Sequence, residues 1–352
     1  MKDTGLLNLP DVPAKANSKL CKKLQNKLDN KTKPIGALGR LENLAIHIGL
    51  ILGNQNPELI QPQMLVCAAD HGLTAEGISA YPSDVTWQMV ENFLCGGAAV
   101  SVLSQQNNIS LNVVDCGVRH NFLPREGLII QKVSNGTANS LHGPAMSNEE
   151  CQQAMSNGMN ITLSLAGNAL LIGEMGIGNS SAAAMLLSRL TDNDIGSCTG
   201  SGTGMFGDDL KTKTVILEKV LKKHKDAKEP LDALAAFGGL EIATLAGAVI
   251  QAASERRVIV VDGFIASSAV LVASKIKSAV LDYCIFSHRS DEQGHSLMLR
   301  AMDADPLLDL KLRLGEGSGA ALAWPLLMSA CAIIREMASF ETAGVSRDDD
   351  KK

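Results

Sequence analysis

The chain is expected to form an α/β fold, a parallel sheet flanked by helices, and two observations lead there. From residue 64 onward short apolar runs alternate with helical stretches, the spacing of βαβ units. Each run also ends at polar residues, usually with a glycine close by. Residues 64–69 end at Asp70-His71-Gly72, 111–114 at Asp115-Cys116-Gly117, and 169–172 at Gly173-Glu174-Met175-Gly176. Residues 258–261 end at Asp262-Gly263, and 283–286 at Ser287-His288-Arg289-Ser290. In open parallel sheets ligands bind outside the carboxyl ends of the strands, so five such endings place a polar site along one sheet edge. Turn residues that merely end strands are the plainer reading of any one of them.

Taken in order, residues up to about 60 read as helical and polar. Residues 18–30 are Lys-rich and amphipathic, and the Pro/Gly loop at 33–42 runs into a second helix. Lys33 and Arg40, read locally, are solvated charges near a helix start. Residues 84–104 follow Tyr81-Pro82-Ser83, an N-cap signature, and end at Gly96-Gly97-Ala98-Ala99. Further helices are expected over 179–190, 208–223, 240–255 and 266–278. After Glu316 comes one long apolar helix. Its run over 320–334 contains Pro325, falls short of a bilayer span and reads as buried. The charged tail, 346–352, is expected to be disordered.

The composition narrows the function. Aromatic residues make up 3% of the chain, so the core is aliphatic and base-stacking platforms are not expected. The net charge of −5 argues against a nucleic-acid partner. The eight cysteines are scattered with no CxxC pair, which reads as reduced thiols of a cytoplasmic protein. Met1-Lys2-Asp3 lacks the apolar run of a signal peptide, and no membrane partner is expected. No HxH or HExxH spacing supports a metal, so His71 and His288 read as hydrogen-bonding residues.

The chemistry gathers around Leu312-Arg313-Leu314-Gly315-Glu316-Gly317. A carboxylate among apolar neighbours resists ionising and becomes a useful base near neutral pH. A Gly-rich turn with an exposed Glu is the alternative. Gly173-Glu174-Met175-Gly176-Ile177-Gly178-Asn179 joins a strand to a helix and offers backbone N–H groups to an anion. It is neither a Walker A loop nor the GxGxxG fingerprint, and the first strand ends in Asp70-His71-Gly72, which fits an NAD-dependent dehydrogenase poorly. Gly200-Ser201-Gly202-Thr203-Gly204 is a second loop suited to phosphate or ribose, or else a flexible surface loop. With no GxSxG nucleophile, these parts suit transfer of a phosphorylated sugar to an acceptor whose proton Glu316 removes. A non-catalytic nucleotide-binding module is the competing class, though it has little need for a pocketed base.

Eight segments together resemble the nicotinate-nucleotide–dimethylbenzimidazole phosphoribosyltransferase family of cobalamin (vitamin B12) nucleotide-loop assembly. They are residues 33–42, 68–72, 77–82 with 85–89, 173–179, 237–242, 261–264, 287–288 and 312–317, in the family's order. The resemblance implies transfer of phosphoribose from nicotinate mononucleotide to 5,6-dimethylbenzimidazole, giving α-ribazole 5′-phosphate and nicotinate, with inversion at the anomeric carbon. It implies Glu316 as the general base. Ser79, Tyr81, Pro82 and Gln88 match the region of the benzimidazole pocket, with Met175 and Leu314 as apolar walls. Glu174 and Lys213 match polar positions around the site, and Gly176, Gly178, Gly202 and Ser290 match regions that hold the ribose phosphate. No cofactor or metal is implied. The implied architecture is a Rossmann-like α/β domain over 61–304 plus a small helical domain from both chain ends, 1–60 and 305–345, in a homodimer. Ser201 stands where the family often has a larger, basic residue.

Overall fold

The protein is described by a computed structural model covering residues 7–15, 18–202 and 204–346. Most of the tail expected to be disordered, from residue 347, lies outside the described residues.

Among the described residues six strands form one sheet: β1 (Gln63–Ala69), β2 (Ser110–Gly117), β3 (Leu128–Ile130), β4 (Ala169–Met175), β5 (Val258–Val261) and β6 (Cys284–Phe286). Their order is β3-β2-β1-β4-β5-β6 and every pairing is parallel. This is the Rossmann order, with its reversal between β1 and β4. All of β1 and β5 and nearly all of β4 are buried. Helices cover both faces of such a sheet, which is why its strands read as unbroken apolar runs instead of alternating ones. The short strand β3 was not expected from the sequence.

The expected helices form at Ser18–Asp29, Arg40–Leu52, Asn179–Thr191, Asp208–Lys223, Leu240–Ser254 and Phe264–Ile276. The stretch expected as one helix over 84–104 is two, Val85–Leu94 and Ala99–Gln106, because Gly96 takes a left-handed turn (φ 79°) between them. Helices at Asn148–Ser164, Pro230–Phe237 and His295–Ala301 were not anticipated. The first of these packs backbone to backbone on Leu240–Ser254. A Cβ on Gly158 would lie 1.9 Å from Thr244 O, and one on Gly247 2.0 Å from Met155 O.

The C-terminal apolar helix spans Ser318–Glu336, two residues further at each end than the run read from the sequence. At 19 residues it is long and apolar enough to cross a membrane, contrary to the expectation. However, 56% of its most apolar window is buried inside the protein, the habit of a core helix. It packs on the Arg40–Leu52 and Ala99–Gln106 helices and on β4. The two ends of the chain meet: Thr32 N donates to Ala338 O and Phe340 N to Asn30 O, both at 3.1 Å. Arg256 fastens the Arg40–Leu52 helix to the sheet body by donating to Leu50 O at 2.8 Å.

Candidate active site

A cavity of about 720 Å³ opens at the carboxyl ends of β4, β5 and β6, beside the reversal of strand order. That volume lies within the usual range for small-molecule sites. Ser79, Tyr81, Glu174, Met175, Gly176, Gly178, Gly202, Ser290, Leu314 and Glu316 line it. Tyr81 and Leu314 are more than half exposed, giving its mouth an apolar rim. Pro82 and Gln88 are exposed and off the wall. The Val85–Leu94 helix turns Val85 and Met89, four residues apart and so on one face, to the cavity. Lys213 stands one layer back and reaches Ser180 on the wall.

The loop carrying Glu316 is held in an uncommon conformation. Gly315, Glu316 and Gly317 have φ of 83°, 67° and 96°. Two of the three are glycine, which takes left-handed backbone freely, and Glu316 bears the strain alone. Ser318 closes the turn by donating its hydroxyl to Gly315 O at 2.7 Å. The Glu316 side chain is buried beside the N-terminus of the Ala99–Gln106 helix and accepts the Val100 N–H. Its Oε2 has no hydrogen-bond partner among the described residues. Burial pushes its pKa up to about 7; the Val100 N–H opposes the rise and the Asp262 charge adds to it.

Two more carboxylates share this corner. Glu174, at the end of β4, accepts from the Asn179 side chain. Burial first, then the charges of Asp262 and Glu241, push it up to about 8. Asp262, just past β5, accepts backbone N–H groups from Gly317 at 3.1 Å, Gly319 at 2.7 Å and Ala320 at 3.1 Å. It thereby caps the Ser318–Glu336 helix. Burial raises its pKa despite those bonds and the nearby His288, whose Nδ1 lies 3.8 Å away.

The other end of the cavity suits an anion. The Asn179–Thr191 helix begins at Gly178 (φ 96°), its N-terminus facing the cavity with Ser180 on the wall. Thr86 pins the preceding turn by accepting the Ile177 N–H at 3.1 Å. The buried Lys213 ammonium donates to Ser180 Oγ at 3.2 Å, and burial pushes its pKa down to about 8 against the pull of Glu292. Ser290 is set by His295, whose Nδ1 accepts the Ser290 N–H at 2.9 Å. Burial holds His295 near pKa 3, so it stays neutral and able to accept.

Two motifs singled out in the sequence meet behind the cavity. His71 Nε2 lies 2.7 Å from Glu241 Oε1, with both side chains buried. Burial pushes His71 down, but the charge and hydrogen bond of Glu241 outweigh it and the net shift is upward. Sequence reasoning missed Glu292, which lines the cavity with an Oε2 that has no partner among the described residues, and no motif marked it. It also missed the capping role of Asp262, although the polar strand end was legible.

Fold and cavity define an α/β enzyme with its site at the carboxyl edge of a parallel sheet. Comparison with known proteins narrows the class. A family model described as phosphoribosyltransferase matches residues 14–345. The nicotinate-nucleotide–dimethylbenzimidazole phosphoribosyltransferase of Variovorax paradoxus (strain S110) is 62% identical over 341 residues, covering 97% of this chain and 98% of the relative. The enzyme of the same name from Dechloromonas aromatica (strain RCB) is 53% identical, covering 92% and 94%. The crystal structure of CobT from Thermus thermophilus superposes with a TM-score of 0.90 at 38% identity, covering 94% of this chain and 99% of that one. The chain belongs to the nicotinate-nucleotide–dimethylbenzimidazole phosphoribosyltransferase family.

Proposed function

We propose that the cavity transfers the phosphoribosyl group of nicotinate mononucleotide to 5,6-dimethylbenzimidazole, with Glu316 as the general base. The observation that carries this is the Glu316 carboxylate: buried, without a partner at Oε2 among the described residues, and its pKa pushed up to about 7. A base in that range is partly deprotonated near neutral pH and still takes a proton readily.

The unprotonated ring nitrogen of the benzimidazole attacks the anomeric carbon. The carbon–nitrogen bond to nicotinate breaks, and its electron pair neutralises the cationic pyridine ring. The N–H proton of the benzimidazole passes to Glu316. The leaving group needs no acid, so positioning and one base suffice. The apolar rim of Tyr81 and Leu314, with Met175 on the wall, receives the base. The Gly176–Gly178 turn, Gly202, Ser290 and the Lys213 ammonium behind Ser180 receive the phosphate. Pro82 and Gln88 border the base pocket from its outer face. Glu174, largely protonated near neutrality, donates a hydrogen bond to the nucleotide without repelling its phosphate.

The same reading takes the enzyme as a cytoplasmic homodimer. It divides the chain into an α/β domain and a helical domain from the two ends, which the contacts between residues 30–32 and 338–340 support. Incubating purified protein with both substrates and following nicotinate and α-ribazole phosphate by chromatography tests the reaction. Turnover supports it. A folded protein that binds the mononucleotide without turnover is a binding module instead.

A further inference from the structure

We propose that Asp262 is a positioning residue for Glu316 and acts on the reaction only through the Glu316 carboxylate. This rests on Glu316 being the base. The three N–H groups that Asp262 accepts belong to Gly317, Gly319 and Ala320, within the four residues after Glu316. A non-glycine residue at φ 67° persists only where its surroundings restrain it. Two restraints are in place. From below, the backbone of Glu316 rests on Gly173 in β4. From the side, Asp262 holds both the residue after Glu316 and the first turn of the helix to the end of β5. There is no slack between them: a Cβ on Gly319 would lie 2.0 Å from His288 Nδ1 and 2.8 Å from Asp262 Oδ1.

Asp262 uses both carboxylate oxygens, Oδ2 for the Gly317 N–H and Oδ1 for those of Gly319 and Ala320, an acceptor pair that a hydroxyl or a side-chain amide does not offer. Of the groups packed around Glu316, Asp262 past β5 acts on it as a negative charge and the Val100 N–H comes from the Ala99–Gln106 helix, while Glu174 at the end of β4, its pKa pushed up to about 8, stays largely protonated near neutrality and His288 lies behind Asp262. Asp262 makes Glu316 a stronger base while fixing where it points.

The test is steady-state kinetics from about pH 5 to about pH 9, with nicotinate mononucleotide and 5,6-dimethylbenzimidazole, for wild type, Asp262→Asn, Glu316→Gln and the double variant. Asp262→Asn is expected to lower kcat by about 10²-fold, the loss typical of a misplaced catalytic group. The KM for the nucleotide stays unchanged, and the acid limb of the pH profile moves to lower pH. In the Glu316→Gln background, adding Asp262→Asn leaves the residual kcat where it was. Losses that multiply in the double variant, or a loss with the acid limb unmoved, overturn the proposal and leave Asp262 a structural cap. If Asp262→Asn does not melt cooperatively, Asp262→Ser, which keeps a capping oxygen and removes the charge, takes its place under the same criteria. Wild-type turnover in Glu316→Gln alone removes the base assignment, and this proposal falls with it.

Discussion

The carbonyl oxygen of Glu316 rests on the α-carbon of Gly173, so close that a Cβ there would lie 2.3 Å from it. The contact joins the Glu316 loop to a buried strand, leaving neither partner room to move. Gly173→Ala must displace one of them. The expected outcome is a stability loss of about 1–3 kcal/mol, the range for overpacking, with a fall in kcat because Glu316 moves. Urea unfolding and initial rates on the same preparation check both.

The anion end makes a separate prediction. Lys213→Met keeps the length of the side chain and removes the ammonium that reaches Ser180. Losing one hydrogen bond from a charged group is worth about 1.5–3 kcal/mol. The KM for nicotinate mononucleotide should therefore rise roughly 10- to 100-fold, with the KM for 5,6-dimethylbenzimidazole little changed. Initial rates with each substrate varied in turn separate the two constants.

The His71–Glu241 pair is a stability element behind the cavity. Glu241→Ala leaves His71 buried without the partner that raises its pKa. Breaking a buried pair by removing one member destabilises by about 3–5 kcal/mol. Denaturant unfolding measures this, and removing both partners with His71→Leu/Glu241→Leu is expected to recover part of it.

Stability should also depend on pH in a definite direction. Glu174 and Glu316 hold their protons up to about 8 and about 7 in the fold, against 4.5 as their ordinary value. Across that window the folded state binds more protons than the unfolded chain, so stability falls as pH rises. The contribution is complete below pH 4.5 and is lost once the pH passes 7 for Glu316 and 8 for Glu174. Each group adds a slope of at most about 1.4 kcal/mol per pH unit. Thermal melts across this window should show a falling Tm, with a shallower fall in Glu174→Gln.

Much of this was legible in the sequence, for reasons tied to particular residues. Five strands announced themselves because buried parallel strands are unbroken apolar runs, and their polar ends located the sheet edge that carries the cavity. Leu128–Ile130 escaped notice because three residues between charged and glycine positions carry no period. The Asn148–Ser164 helix was missed although Ser147 and Glu150 form a capping box, a local signal in plain view. Glu316 was found because its glycine-flanked, apolar setting is local. Asp262 and Glu292 act on partners distant in sequence, Gly317 to Ala320 and Gly202, and no spacing rule reaches across such a gap. Gln88, placed beside the base pocket by resemblance, is exposed and off the cavity wall, to which the same helix contributes Val85 and Met89.

The base itself is tested most directly by one comparison: kcat of Glu316→Gln against wild type near neutral pH, with both substrates saturating and nicotinate release followed by chromatography. Loss of a general base is worth about 10²- to 10⁴-fold, and a fall of that size, with the KM for nicotinate mononucleotide unchanged, is the predicted result. A variant that folds, binds the nucleotide and turns over at the wild-type rate would contradict the assignment of Glu316 as the base.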